Sequence, residues 1–465
     1  MKDHVELRRG AYADSVTLLQ VSRTVQDEAG VVAAQVAMAT QLNLEVLTGM
    51  GFAVPDAAPD DMVVALRLDD GAELGEILAA VETALTRSTT STAATTETPP
   101  RTTTTALRQA PGAVVLVSVP GAHALVEAMD ALDAGSDVMV FSDNVPLEQE
   151  LVLKRVAAER DLLVMGPDCG TAVIGGLGLG FANVTTPGPV GMVAASGTGC
   201  QQLLALLDHA GVGVSSALGV GGRDLSAEIR GISTRTALSR LDADPDVELI
   251  VLVSKPPAED VALEIEQYAA SLATPVELAL LGPGQPDLTA AAEAVLRRLG
   301  RDVPDWPVTG RAHSSAVRGG SVLRGLFVGG TLCEEARLIA TDLLGPGAFT
   351  MVDFGADELT SGRAHPMIDP TLRLEHLAGA LSDGATGAVL LDVVLGHGAE
   401  PDPAALLGPA VIAAEVPVVA TVVGTAHDPQ DLDRQVRVLA ETGVEVHLSN
   451  ARAARRAVEL VGGGR

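Results

Sequence analysis

The chain reads as an α/β protein of several parallel, doubly wound domains behind a small α+β domain, and three observations predict this. From about residue 113 onward, short runs of Val, Leu and Ile alternate with helical patterns. That is the signature of strands covered on both faces by crossover helices. Aromatic residues are 2% of the chain against 47% apolar overall, so its cores must be built from small aliphatic side chains. Two glycine-rich turns, Ala195-Ser196-Gly197-Thr198-Gly199-Cys200 and Gly329-Gly330-Thr331-Leu332, each stand between an apolar run and a helical pattern. A length of 465 residues leaves room for several cores.

Taken in order, residues 1–86 form the small α+β unit. Val16–Val21, Val31–Met38 and Met62–Leu68 read as strands and Ala72–Leu85 as a closing helix, a split βαβ arrangement. Residues 87–108 are mostly Ser, Thr, Ala and Pro and read as a flexible linker. Residues 109–187 form a Rossmann-like series, with strands Val114–Val119, Asp137–Phe141 and Leu162–Met165 and helices His123–Ala134 and Leu147–Arg160. Ligands of such sheets bind beyond the carboxyl ends of the strands. This places Val119-Pro120, Ser142-Asp143-Asn144 and Gly166–Cys169 at a candidate rim. Residues 188–300 hold strands Val190–Ala194, Val214–Val220, Glu248–Val253 and Val276–Leu281, and a polar stretch from about Gly282 to Gly320 crosses to the next unit. Residues 321–465 repeat the plan with Leu323–Val328, Phe349–Asp353, Ala388–Val394, Val416–Val423 and Val444–Leu448, a loose internal duplication.

The formal net charge is −29, and lysine occurs at Lys2, Lys154 and Lys255 alone. Such a surface repels nucleic acid and anionic membranes. No unbroken apolar stretch of about 18 residues occurs, and Met1-Lys2-Asp3-His4 opens into polar sequence rather than a secretion signal. A cytoplasmic protein is expected. Cys169, Cys200 and Cys333 lie too far apart for a disulfide framework or a metal knuckle, so no metal is expected either.

A helix that starts on a glycine turn leaves backbone N–H groups free at the positive end of its dipole, and such an end accepts phosphate. Ser196, Gly197, Thr198 and Gly199 in one turn, and Gly329, Gly330 and Thr331 in the other, are the candidate phosphate cradle. Tight strand-to-helix packing is the competing reading of each turn. Lys255, at a strand end, and Arg223, after Gly219–Gly222, could add positive charge. A solvated turn and a local ion pair with Asp224 are their alternatives. His365 and His397 are candidates for proton transfer or oxyanion support, since imidazole titrates near neutrality. Either could instead hold its loop by a hydrogen bond. Cys333, in a first helical turn, would have its pKa lowered there, although most such cysteines simply pack.

Residues 119 to about 270 resemble the α-subunit of succinyl-CoA synthetase through Met165-Gly166-Pro167-Asp168-Cys169, Gly191–Thr198 and Gly219-Val220-Gly221-Gly222. Residues 323–462 resemble the carboxy-terminal domain of that enzyme's β-subunit. The whole chain is similar to the FdrA family, which fuses these pieces. The shared marks include Phe141-Ser142-Asp143-Asn144-Val145-Pro146, Gly221–Ser226, Ser254-Lys255-Pro256-Pro257, His365–Pro370 and Gly398–Pro403. The resemblance implies a CoA-binding-like Rossmann domain with Val119, Pro120, Ser142 and Asn144 near CoA, followed by two flavodoxin-like ligase domains. It also implies either acyl-CoA synthetase activity or one subunit of an oxamate carbamoyltransferase. The latter would move a carbamoyl group between carbamoyl phosphate and oxamate or oxalurate, alongside other subunits or in a homo-oligomer. A non-catalytic, metabolite-binding subunit is a third expectation. Where synthetases carry a phosphorylated histidine in a Gly-His-Ala-Gly loop, this chain has Gly282-Pro283-Gly284-Gln285, and it has no Gly-x-x-x-x-Gly-Lys-Ser/Thr loop. A donor that arrives already phosphorylated, carbamoyl phosphate, therefore suits it, with small anionic substrates as its partners.

Overall fold

The structure is a computed structural model and describes residues 2–11, 13, 15–26, 28–69, 71–89, 100–313, 320–360 and 364–462. The chain divides into two compact units, residues 1–101 with 361–364, and residues 102–360 with 365–465.

The first unit is an antiparallel sheet in the order β1-β3-β2, with β1 Lys2–Arg8, β2 Val31–Met38 and β3 Met62–Leu68. Val16–Val21, expected as a strand, lies instead in helix Ser15–Gln26. Its β-branched residues suggest a strand, but Leu18, Val21 and Val25 are all buried and share one helical face, and burial of that face wins over local propensity. Strand β1 escaped the sequence reading because charged side chains alternate along it, leaving Val5 and Leu7 to pack against Val63 and Ala65.

Part of the expected linker is helical. Residues 90–99 lie outside the described residues, whereas Thr103–Gln109 is a helix. Thr102 and Thr105 close a capping box at its start, with Thr105 N donating to Thr102 Oγ1 (3.2 Å) and Thr102 N donating to Thr105 Oγ1 (3.1 Å). Threonine in number suggested disorder; threonine at this spacing caps a helix.

The second unit holds three sheets. The first is parallel, β4 Val115–Val117, β5 Val138–Val140 and β6 Val164–Met165. The second runs β12-β11-β9-β10-β7-β8, with β7 Thr171–Ile174, β8 Leu177–Gly180, β9 Val190–Ala195, β10 Val214–Gly219, β11 Leu249–Ser254 and β12 Val276–Leu280. Residues 171–180, grouped by sequence with the Rossmann-like series, form a hairpin turned by Gly175-Gly176, which pairs antiparallel with β10. The third sheet runs β13-β18-β17-β16-β14-β15, with β13 Val308–Thr309, β14 Val322–Phe327, β15 Phe349–Asp353, β16 Thr386–Val394, β17 Val418–Val423 and β18 Glu445–His447. The stretch read as a crossing contains helix Leu288–Arg298, capped by Asp287 Oδ1 on Ala290 N (2.8 Å).

The two six-stranded sheets share one core. Helix Gly197–His209 contributes Leu203 and Leu206 to it, and helix Gly330–Leu344 contributes Leu332, Ala336 and Ala340. Polar contacts pin the same junction: Asn183 Nδ2 donates to Asp428 Oδ2 (2.7 Å) and Gln202 Nε2 to Leu448 O (3.1 Å). The two glycine turns are thus carried on helices packed into a common interior.

Candidate active site

The first turn follows β9. Ser196 adopts an extended backbone and caps helix Gly197–His209, its Oγ accepting from Gly199 N (3.0 Å). Helix geometry then leaves the Gly197 and Thr198 amides without intrahelical partners. The second turn follows β14. Asp392, on β16, accepts from Val328 N and Gly329 N (2.8 Å each), and helix Gly330–Leu344 begins with no side-chain cap. Burial raises the pKa of Asp392, opposed by Arg373 and by these two amides. Arg373 NH2 reaches Asp392 Oδ1 at 3.1 Å.

The turns meet. Ser196 Oγ and Thr331 Oγ1 share a hydrogen bond of 2.6 Å, and both residues are buried. A Cβ on Gly329 would stand 2.9 Å from Thr198, and one on Gly199 would stand 3.0 Å from Thr331 Cγ2, so only glycine permits this approach. Gly197, Thr198 and Gly330 remain half-buried. Two positive helix ends thus converge at one place.

Beside them stand three ionisable groups. A Cβ on Gly330 would lie 2.5 Å from Asp353 Oδ2 and 2.8 Å from Lys255 Nζ, which places the exposed Lys255 at the second turn. Asp353 ends β15, and its Oδ1 accepts from Gly355 N (2.9 Å). Burial raises its pKa, while the Lys255 charge opposes the rise. His365 Nδ1 accepts from Met367 N (3.2 Å), so the ring proton sits on Nε2. Burial pushes this imidazole down to about 4, and it is neutral at neutral pH. His365 Nε2, Val328 O and Asp353 Oδ1 surround the Cβ position of Gly355 at 2.9, 3.0 and 3.2 Å. The His365 ring lies 5.3 Å from Phe181, which lies 5.5 Å from Phe141, next to Ser142.

Other sequence candidates fall elsewhere. Arg223 donates to Glu150 Oε2 (2.9 Å) and Val145 O (2.8 Å), not to the glycine turns and not to Asp224. Asp224 belongs instead to the buried Lys154, whose Nζ lies 2.7 Å from Asp224 Oδ1 and 2.8 Å from Glu150 Oε1. His397 is exposed, with its ring edge near Gly178 and its N donating to Ala182 O (2.8 Å), rather than at the glycine turns. All three cysteines are buried and free, and burial pushes each thiol up to about 12, Cys333 included, against the expected lowering. Gly282–Gln285 forms a turn after β12 that is exposed from Pro283 to Gln285.

Val119-Pro120 and Ser142–Asn144 do lie together. Ser142 Oγ donates to Val119 O (2.5 Å), and a Cβ on Gly121 would run into Asp143 O. Pro120 gives helix Gly121–Asp133 no side-chain cap, so the Gly121 and Ala122 amides stand beside the exposed Pro120 and Asn144.

Sequence reasoning missed Asp353, Asp392 and Arg373. Asp353 carried a signal, an acidic residue at the carboxyl end of a parallel strand. Asp392 carried a weaker one, because it lies within its strand, and Arg373, inside helix Thr371–Ser382, carried none.

The fold defines an α/β protein with parallel sheets behind a small N-terminal domain, and its carboxy-terminal part is of the CoA-ligase type. Residues 326–460 match the CoA-ligase family, and residues 1–100 match the family described as AllF, heavy metal-associated domain. The chain belongs to the family of YahF, an uncharacterized protein of Escherichia coli K12: the two are 33% identical over 511 aligned residues, covering 99% of each. It is also similar to subunit alpha 2 of an ADP-forming succinate–CoA ligase of Archaeoglobus fulgidus, 27% identical over 50% of this chain and 78% of that one. Among solved structures, a dinucleotide-forming acetyl-coenzyme A synthetase of Ca. Korarchaeum cryptofilum, in complex with phosphate and ADP, is 16% identical over 75% of this chain and 82% of that one. The TM-score is 0.31.

The metal in the N-terminal family's description does not fit these residues. Residues 1–100 contain no cysteine and a single histidine, His4, which lies 3.4 Å from Glu6 Oε2. Among the described residues no group of three or more His, Cys, Asp or Glu is placed to hold a metal ion. Nor is any described helix long and apolar enough to cross a membrane.

Proposed function

We propose that this chain performs the acyl-transfer chemistry of an acid–thiol ligase, exchanging an acyl group between phosphate and the thiol of CoA. The observation that carries the reading is the 2.6 Å contact between Ser196 and Thr331, which fuses two helix N-termini into one anion-directed site beside Lys255. Amides of Gly197, Thr198, Gly330 and Thr331 would hold the phosphate, and the Lys255 ammonium would balance its charge. The neutral His365 would offer its Nε2–H to the carbonyl oxygen as negative charge develops there. The thiol substrate would be held by the Gly121 and Ala122 amides with Asn144 and Ser142. The Phe141–Phe181–His365 row then leads from that rim toward the phosphate.

A second reading rests on Gly282-Pro283-Gly284-Gln285. With no histidine there, the chain has no phosphohistidine relay at that loop, which favours a donor that is already a phosphate ester or anhydride. The FdrA-type resemblance supplies one: carbamoyl phosphate, with oxamate as acceptor, the chain acting as one subunit or in a homo-oligomer.

Calorimetry of the full chain with CoA tests the first reading. Submillimolar binding, weakened by Asn144→Trp, is the expected outcome; no heat at millimolar CoA rejects it. Phosphate release from acetyl phosphate with CoA, against release from carbamoyl phosphate with oxamate, then separates the two donors.

A further inference from the structure

We infer that Asp353 is the proton donor of this site in the direction that consumes phosphate, an assignment that rests on the phosphate-binding reading just given. As a phosphate oxygen bonds to the acyl carbon, the bond from that carbon to sulfur or nitrogen breaks and its electron pair leaves with that atom. The proton that Asp353 holds beside the bound phosphate passes to the departing sulfur or nitrogen, and the proton of the attacking phosphate returns to Asp353 or to solvent. No further reactant is needed.

Three geometric observations place Asp353 in this role. Its Oδ2 and Lys255 Nζ flank the same Gly330 position, at 2.5 and 2.8 Å, so the carboxyl group stands where phosphate would meet the second helix end. Its Oδ1 shares the Gly355 position with His365 Nε2, so one carboxyl group spans the lysine and the imidazole. Finally, among the described residues Gly355 N is the hydrogen-bond donor to this carboxyl group, through Oδ1, which leaves Oδ2 available to carry a proton. A structural carboxylate at a helix start would cap amides, as Asp392 does on Val328 and Gly329.

The charged and titratable neighbours of Asp353 are Lys255, Arg337, Glu358, Asp392, Cys333 and His365. Burial already raises its pKa. A dianion arriving at the adjacent amides raises it further, because two like charges disfavour each other's ionised form. Anion binding is therefore accompanied by proton uptake at Asp353.

The experiment is calorimetric titration of the full chain with sulfate, which does not itself titrate in this range, from about pH 5 to about pH 8 in two buffers of different ionisation enthalpy. Wild type is expected to take up close to one proton per sulfate, with affinity falling up to about tenfold per pH unit above the Asp353 pKa. Asp353→Asn is expected to lose that uptake and to bind sulfate at least about tenfold tighter at the alkaline end. Equal proton counts in the two proteins would overturn the assignment while leaving the anion site intact. Sulfate binding by neither would overturn the anion site and the assignment with it. Should Asp353→Asn not fold, a pH-independent wild-type affinity would overturn the assignment on its own.

Discussion

Replacing Gly330 by alanine separates anion binding from folding. The new methyl carbon would stand 2.5 Å from Asp353 Oδ2 and 2.8 Å from Lys255 Nζ, so each atom must retreat by somewhat under 1 Å to reach ordinary contact. Lys255 is exposed and long, and moves at little cost. Asp353 is short and half-buried, and yields less readily. Overpacking of this kind costs roughly 1–3 kcal/mol, and alanine returns up to about 1 kcal/mol of helix propensity over glycine. The net loss of folding stability is then about 1 kcal/mol. Binding suffers more, because the displaced ammonium no longer reaches an anion at the Gly330 amide. A hydrogen bond to a charged group contributes about 1.5–3 kcal/mol, which is about 10- to 100-fold in affinity. Sulfate or phosphate titration of the folded variant, with urea unfolding alongside, gives both quantities. Wild-type anion affinity in a stably folded Gly330→Ala protein would refute the placement of the anion at this turn.

Lys154→Met should destabilise the second unit by about 3 kcal/mol, the low end for breaking a buried pair, since Glu150 keeps Arg223 and Asp224 keeps Thr234. Urea midpoints at constant slope measure it, and a change below about 1 kcal/mol would contradict the buried network. His365 has a folded pKa of about 4, below the 6.5 of an unfolded histidine, so its contribution is fully present above pH 6.5 and is lost as pH falls toward 4. His365→Gln should therefore flatten the acid limb of stability between those values, and an unchanged limb would show that the ring is not desolvated. Thr331→Val removes the hydroxyl from Ser196 at constant shape and should cost about 1 kcal/mol in thermal or urea unfolding. The full chain should bind neither copper(I) nor zinc(II) stoichiometrically through residues 1–100, as dialysis followed by metal analysis would reveal.

Local signals were legible wherever the physics is local. Glycine between an apolar run and a helical pattern marked both turns, and the scarcity of lysine singled out Lys255. What sequence could not supply was pairing at a distance. Arg223 looked functional because it follows a glycine loop, yet its partner Glu150 lies 73 residues upstream. The Ser196–Thr331 contact joins residues 135 apart and depends on two helices sharing one core. Asp353 was visible as a strand end but not as a neighbour of Lys255, because that proximity arises between separate sheets. Val16–Val21 went wrong for the complementary reason: its burial face, set by packing, outweighed its β-branched composition.

Because one polypeptide carries both glycine turns on helices seated in a common interior, their encounter does not depend on protein concentration. A site divided between separate chains would fall apart on dilution; this one keeps its geometry down to the single molecule. Any loss of anion affinity on dilution would then report on partners outside this polypeptide.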